Sequence, residues 1–280
     1  MILVTGATGT VGSATIQSLK AKGAAVKAAS RHAANAKDQL GVDSVSWDWE
    51  HPEGFAAALQ GVESLFLLTP PGTEKDLAWG LSAVQAAKAA GVKKIVKLSA
   101  IGTENLPASA HRQIEVAIEA AGFAWTFLRP SFFMQNLNEG MQANVKAGVL
   151  ALPTGDGKTG FIDARDIGAV AAEALTRDDL AAHGLTLTGS EALSYAEVAA
   201  ILTHALGRPL RHEDVSADTF KANMFAAGMP GHYVEFLAAL YGFVKAGYTA
   251  TVTDEVKQVL GRDPIRLAQY AQDYKAALNG

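Results

Sequence analysis

The 280-residue chain contains no cysteine. That excludes disulfides, thiolate catalysis and cysteine-held zinc or iron–sulfur centres, and nothing in it points outside the cytoplasm. It also lacks any apolar run near the roughly 18 to 20 residues that span a bilayer; the best, around Leu65–Leu68, has the length of a buried strand, so no membrane partner is expected. Met1–Val4 run straight into a glycine motif, and no export signal is expected ahead of it. There is no basic stripe: 24 lysines and arginines are interspersed with 28 acidic residues for a net charge of -4, a pattern that nucleic-acid phosphates do not select. The 7 histidines make no His-x-His or His-Glu-x-x-His, and no Gly-x-Ser-x-Gly elbow occurs, so neither a metal nor an acyl-transfer serine is expected. No internal repeat or low-complexity tail is visible. A soluble chain acting on a small molecule, as a monomer or a homodimer, fits what is left.

What is present is an alternation. Short apolar runs predict strands at Ile2–Thr5, Ala25–Ala29, Val45–Asp48, Ser64–Leu68, Lys94–Leu98 and Trp125–Leu128. Between them apolar residues recur at helical spacing, as in Leu77, Leu81 and Val84 or Ile114 and Ile118. Strand then helix, repeated, predicts an α/β fold with a doubly wound parallel sheet, whose strands are covered on both faces and so read as continuous apolar runs. Composition shifts after Leu152, where "ALPTGDGKTGFIDARD" is rich in glycine before helical spacing resumes with Asp163 or Asp166 as its cap. Ser194 and Glu197 form a capping-box pattern ahead of a further helix. The expected division is a Rossmann-like domain over residues 1–152, with 163–190 returning to it, and a smaller, mostly helical lobe over 191–280. That lobe either completes the core or closes over a substrate cleft.

The most informative stretch is "TGATGTVG", directly after a predicted strand and before a predicted helix. In that context Gly6 suits a tight turn, Gly9 the close approach of a pyrophosphate, and Gly12 the packing of helix on strand; Thr8 lies within the loop. N–H groups at the helix start, from about Thr10 and Val11, suit phosphates. An NAD site usually has a carboxylate about 20 residues further on, at the end of the second strand. Here "AASRH" offers Ser30 and Arg31 instead, so NADP, as NADPH, is favoured over NAD. Arg31 is the expected partner of the 2′-phosphate and Lys37 a second one, although a solvated surface arginine has the same appearance.

The motifs "ILVTGATGTVG", "LLTPP", "LSAIG", "LRPSFFMQN" and "FIDARDI", in that order over nearly the whole chain, resemble those of the short-chain dehydrogenase/reductase superfamily, and within it the atypical NmrA-like branch. That branch includes small bacterial quinone, azo-dye and triphenylmethane-dye reductases, and also regulators without known catalysis. The resemblance implies an NADPH-dependent oxidoreductase passing hydride to a quinone, azo or cationic dye; the alternative is an NADP-sensing regulator that binds a protein partner. It also implies that Asp48 meets the adenine amine and Trp49 lies beside the ring, although an aspartate capping the next helix reads the same.

Ordinary superfamily members use Tyr-x-x-x-Lys on the helix after the fifth strand. Here that helix reads "SAHRQIEVAIEAAG", with His111 and Glu115 on one face in place of that pair. His111 is therefore the candidate proton donor, with a surface or capping histidine as the competing reading and no visible partner to orient it. The single Tyr-x-x-x-Lys match, Tyr241 to Lys245, lies in the C-terminal part and is expected to be accidental. Strand ends, where ligands bind in open α/β sheets, nominate Thr69, Pro70 and Ser99 for the cofactor and Pro71 and Ala100 for the substrate. Phe132, Phe133 and Met134 are candidates for an apolar wall and Asn136 for a polar contact, the aromatic residues suiting a core equally well.

Overall fold

Strands form where the apolar runs lie: β1 (Ile2–Val4), β2 (Val26–Ser30), β3 (Asp43–Ser46), β4 (Ser64–Leu67), β5 (Lys94–Leu98), β6 (Ala124–Pro130), β7 (Val149–Leu152), β8 (Lys158–Thr159), β9 (His183–Leu187), β10 (Leu193–Ser194) and β11 (Arg211–Asp214). The helices are α1 (Thr10–Ala21), α2 (Ala33–Leu40), α3 (Phe55–Ala58), α4 (Asp76–Ala89), α5 (Ala110–Ala121), α6 (Gln142–Ala147) and α7 (Ala164–Thr176), then α8 (Tyr195–Leu206), α9 (Ala217–Ala226), α10 (Gly231–Lys245), α11 (Glu255–Leu260), α12 (Leu267–Asp273) and α13 (Lys275–Asn279). This computed structural model describes residues 1–70, 73 and 75–279. They fall into two units, one of residues 1–130 and 164–187, the other of 131–163 and 188–280.

In the first unit seven parallel strands lie in the order β3-β2-β1-β4-β5-β6-β9. This is the doubly wound, Rossmann-like sheet that the alternation predicts. Leu3, Leu65, Leu67, Ile95 and Phe127 project to one face and form a single buried cluster with Ala58 of α3, Val84 of α4, and Ile114 and Ile118 of α5. The intervening residues Val4, Phe66, Val96 and Leu128 are buried as well, as in sheets covered on both sides. The order reverses between β1 and β4, so the loops that leave those two strands diverge and open a crevice at the carboxyl edge. Thr5 pins this point: its hydroxyl lies 3.0 Å from the Phe66 carbonyl and accepts the Leu68 N–H at 2.8 Å.

The seventh strand, β9, is absent from the strands expected on sequence, although residues 163–190 were expected to rejoin the first domain. The second unit departs further from the reading. Residues 131–163 pack within it, whereas the sequence placed the first boundary after residue 152. It also holds two short strand pairs, parallel β7–β11 and antiparallel β8–β10, of which β10 and β11 lie in the stretch expected to be mostly helical. Its core gathers Phe161, Tyr195, Val198, Leu202, Phe220 and Tyr241. The capping box forms as expected, with Ser194 Oγ accepting the Glu197 N–H at 3.2 Å and Glu197 Oε2 accepting the Ser194 N–H at 2.7 Å. Tyr241 is buried in this core beside Phe220, and Lys245 Nζ lies 3.6 Å from Asp214, so that Tyr-x-x-x-Lys match serves α10 packing and a surface ion pair.

Candidate functional site

The glycine loop leaves β1 at the reversal point. Gly6 has φ +59°, in the left-handed region that favours glycine, and Gly9 N–H donates to its carbonyl at 3.0 Å to close the turn. A Cβ on Gly12 would fall 2.1 Å from the Gly6 oxygen, so only glycine lets α1 start this close to the strand end. A Cβ on Gly9 would meet only that same oxygen, at 3.3 Å, and otherwise points into open space. Thr8 and Gly9 are exposed, Thr10 is half-buried and Val11 is buried. The N-cap of α1 is Gly9, which has no side chain to cap it, and no acidic residue stands in its first turn, an arrangement in which the helix dipole favours an anion. These features fit a dinucleotide pyrophosphate.

Neighbouring strand ends bring most of the other cofactor candidates to the same edge. Ser30 ends β2; its Oγ accepts the His32 N–H at 3.3 Å. Arg31 is exposed and has no ion-pair partner among the described residues, whereas Lys37 is held 3.1 Å from Asp43. Asp48 follows β3 and does not cap the next helix: its Oδ1 accepts the Glu50 N–H at 3.1 Å, an Asx-type turn. Trp49 is half-buried among Trp47, Phe55 and Trp79, with centroid separations of 5.5, 5.5 and 6.2 Å. Thr69 is buried and Pro70 half-buried at the end of β4; Pro71 lies outside the described residues.

The end of β5 is tied into a buried polar network. Ser99 is buried and its hydroxyl donates to Glu115 Oε1 at 2.7 Å, so that hydroxyl is engaged inside the protein; Ala100 is half-buried beside it. Glu115, fully buried on α5, also receives Arg129 Nε at 3.1 Å, Arg129 Nη2 at 2.8 Å and Arg112 Nη1 at 3.0 Å. Burial alone would raise its carboxyl pKa. The hydrogen bonds from Arg129 and Ser99, with the Arg129 charge, outweigh that and hold it below the usual carboxylate value. Glu115 thus braces α5 against β5 and β6 rather than turning to His111.

His111 does have a partner, one the sequence reading missed. Lys97, on the same sheet face as Ile95 and with no exposure, places Nζ 2.9 Å from His111 Nδ1 and donates to the Leu98 carbonyl at 2.9 Å. Burial, and then the Lys97 charge, push the imidazole pKa down to about 3. His111 is therefore a neutral ring at neutral pH. Burial lowers Lys97 itself to about 7, against the opposing charges of Glu115 and Asp76. The signal for this pair was present in "KIVKL", a lysine inside a run otherwise fit for a buried strand.

The remaining substrate candidates belong to the second unit. Phe132 is half-buried, with its ring 6.3 Å from that of Tyr241, and Phe133 is half-buried where its backbone bridges to Ile162. Met134 is 2% exposed in that unit's core, packed rather than presented, and Asn136 is half-buried at a 3-10 turn. Among the described residues no group of three or more acidic or histidine side chains could hold a metal ion, and no helix is long and apolar enough to cross a membrane.

Residues 1–272 match the NmrA-like family. An NAD(P)H azoreductase of Xenophilus azovorans is 38% identical over 283 residues, covering 99% of each chain. Among solved structures, the Citrobacter triphenylmethane reductase complexed with NADP(H) superposes with a TM-score of 0.87 at 27% identity, covering 98% of this chain and 99% of that one. The NADPH-dependent quinone oxidoreductase of Escherichia coli complexed with NADPH gives 0.87 at 26% identity, with the same coverage.

Proposed function

The chain belongs to the NmrA-like family, and on that premise we propose that it is an NADPH-dependent reductase passing hydride to a quinone or to an azo or cationic dye. The observation that carries the reading is the Gly6–Gly12 cradle at the β1–β4 reversal, open at Gly9 where a pyrophosphate would lie, together with an exposed arginine and no carboxylate at the end of β2. Relatives with dye and quinone reductase names, two of them seen with this cofactor, support it.

The bound nicotinamide nucleotide would supply the hydride. Gly9 lets the phosphates approach the backbone, the first turn of α1 offers N–H donors, and Arg31 reads the 2′-phosphate with a planar fork. Asp48 and Trp49 sit one strand further along for the adenine, and Thr69 and Pro70 stand at the end of β4 for the nicotinamide half. The Glu115 network fixes the end of β5, so that α5 presents His111 in one position. The cysteine-free composition and interspersed charges support a cytoplasmic place and a small-molecule acceptor without nucleic acid. The test is NADPH oxidation by the purified protein against a panel of quinones, azo dyes and cationic triphenylmethane dyes. Turnover with at least one class is expected; tight NADPH binding without turnover on any of them would instead favour a nucleotide-sensing regulator.

A further inference from the structure

Lys97 is costly where it stands. It occupies the penultimate position of a central strand, between Leu67 of β4 and Phe127 of β6, with its side chain fully buried. A buried ammonium is ordinarily paired with a carboxylate. Among the described residues none lies within ion-pair distance of Lys97: the buried carboxylate nearby, Glu115, is taken up by Ser99, Arg112 and Arg129. Other charges facing this region are Asp76 at the start of α4, which accepts from the Thr73 hydroxyl at 2.6 Å, and Glu104, 3.3 Å from Arg129. Lys97 spends its N–H groups instead on its neighbour's carbonyl and on the neutral ring of His111. A methionine would fill similar volume without the desolvation cost, so packing alone does not account for an amine here.

The bond between them orders the proton. With Lys97 as the ammonium donating to Nδ1, the imidazole carries its hydrogen on Nε2. His111 sits in the first turn of α5, the helix that follows β5, and is half-buried at the strand-end edge where ligands bind in open α/β sheets.

We propose that Lys97 and His111 form a two-residue proton relay serving acceptors whose oxygen or nitrogen must be protonated after hydride arrives. The inference rests on the reductase reading above. For a quinone the balance is explicit. The acceptor takes up hydride, two electrons and one proton, and the cofactor is oxidised to NADP⁺. The hydroquinonate oxygen then takes the Nε2 proton of His111 as an O–H bond forms and the Nε2–H bond breaks. In concert Nδ1 takes a proton from Lys97 Nζ, which is left as the neutral amine. Net, quinone, NADPH and one Lys97 proton become hydroquinone and NADP⁺. Because the second transfer accompanies the first, no imidazolium forms, which matters for a ring that burial keeps neutral. A Lys97 pKa of about 7 suits the direction, since phenolic oxygens hold their protons to about 10. Reloading reverses the path: Nε2 takes up one proton from the solvent's supply of hydronium while the Nδ1 proton returns to Lys97, so each turnover consumes one solvent proton.

A cationic triphenylmethane dye needs none of this, because hydride added to its central carbon gives a neutral product without a proton. The ratio of quinone turnover to dye turnover therefore reads the relay alone. In the full-length protein, Lys97→Met and His111→Gln should each lower that ratio at least tenfold, general acid catalysis typically contributing about a hundredfold or more. The double variant should be no worse than either, as expected for one coupled unit. Lys97→Arg keeps charge and donors but cannot give up a proton, so it should behave as Lys97→Met; recovery of the ratio would mark a structural role. Wild-type quinone turnover should also fall as pH rises through about 7, while dye turnover stays level; this measurement decides the matter should the variants not fold. An equal loss on both acceptors, an unchanged ratio or matching pH profiles would overturn the relay. Absence of turnover with either acceptor in the wild type would overturn the reductase reading and the relay with it.

Discussion

Lys97 leaves a thermodynamic signature that does not depend on any substrate. Its pKa is about 7 in the folded protein against an ordinary 10.5, so between those values the unfolded chain binds one more proton than the native one. Stability contributed at this site therefore rises with pH across that window, by about 1.4 kcal/mol for each pH unit, and is lowest below it, where the buried ammonium must be kept charged. Chemical denaturation of wild type and Lys97→Met from about pH 6 to about pH 10 should show the variant's relative advantage shrinking by a few kcal/mol as pH rises; a constant difference would mean that Lys97 keeps its ordinary pKa. Such a residue is hard to recognise in sequence. In "KIVKL" the two lysines are three residues apart, on opposite faces of a strand that otherwise reads as buried, and nothing local tells that position 97 is closed off by a helix whose contact residue is position 111. The Ser99–Glu115–Arg129 network was equally hidden, because its members come together only when β5, α5 and β6 pack. Of the group around His111, the sequence reading held the histidine and lacked its partner.

At the scale of elements, the strand–loop–helix at the start of the chain was readable in detail, since each glycine answers a local demand: a left-handed turn at Gly6, room at Gly9, contact at Gly12. The last two separate cleanly. At Gly12 an alanine would set its Cβ 2.1 Å from backbone oxygen, so α1 must shift and the fold itself should suffer. At Gly9 the backbone is extended (φ -82°, ψ 174°), which alanine adopts freely, and the added methyl meets only the Gly6 oxygen, at 3.3 Å, so a shift of a few tenths of an ångström accommodates it. Gly9→Ala should melt within a few degrees of wild type yet bind NADPH at least tenfold more weakly, whereas Gly12→Ala should lose melting temperature and binding together. Calorimetry with nucleotide titration checks both, and a Gly9→Ala protein of unchanged affinity would remove the pyrophosphate from this loop. Elements whose information is not local were missed: the two-residue strands β8 and β10 are too short to carry any periodicity, and β9 lies outside the clear strand–helix alternation.

For the whole molecule, the doubly wound class followed from the order of periodic segments, while the partition into units did not, because residues 131–163 look like a continuation of the α/β alternation and yet pack with the later chain. Cofactor choice can be read at this scale as well, since a ligand that binds only the native state stabilises the entire fold by mass action, about 2.7 kcal/mol at a hundred times its dissociation constant. If Arg31 meets a 2′-phosphate, NADPH should raise the melting midpoint more than NADH at equal concentration, and the gap measures their difference in affinity. Arg31→Ala removes one charge-assisted hydrogen-bonding group, worth about 1.5 to 3 kcal/mol, from the phosphate alone. Because Arg31 is exposed and has no ion pair among the described residues, the substitution should leave the ligand-free midpoint nearly unchanged. The expected outcome is thus a wild-type and a variant protein of equal intrinsic stability, the first shifted far more by NADPH than by NADH and the second shifted about equally by both. Equal shifts in the wild type, or a variant that still prefers NADPH to the same degree, would assign recognition of the 2′-phosphate to another group.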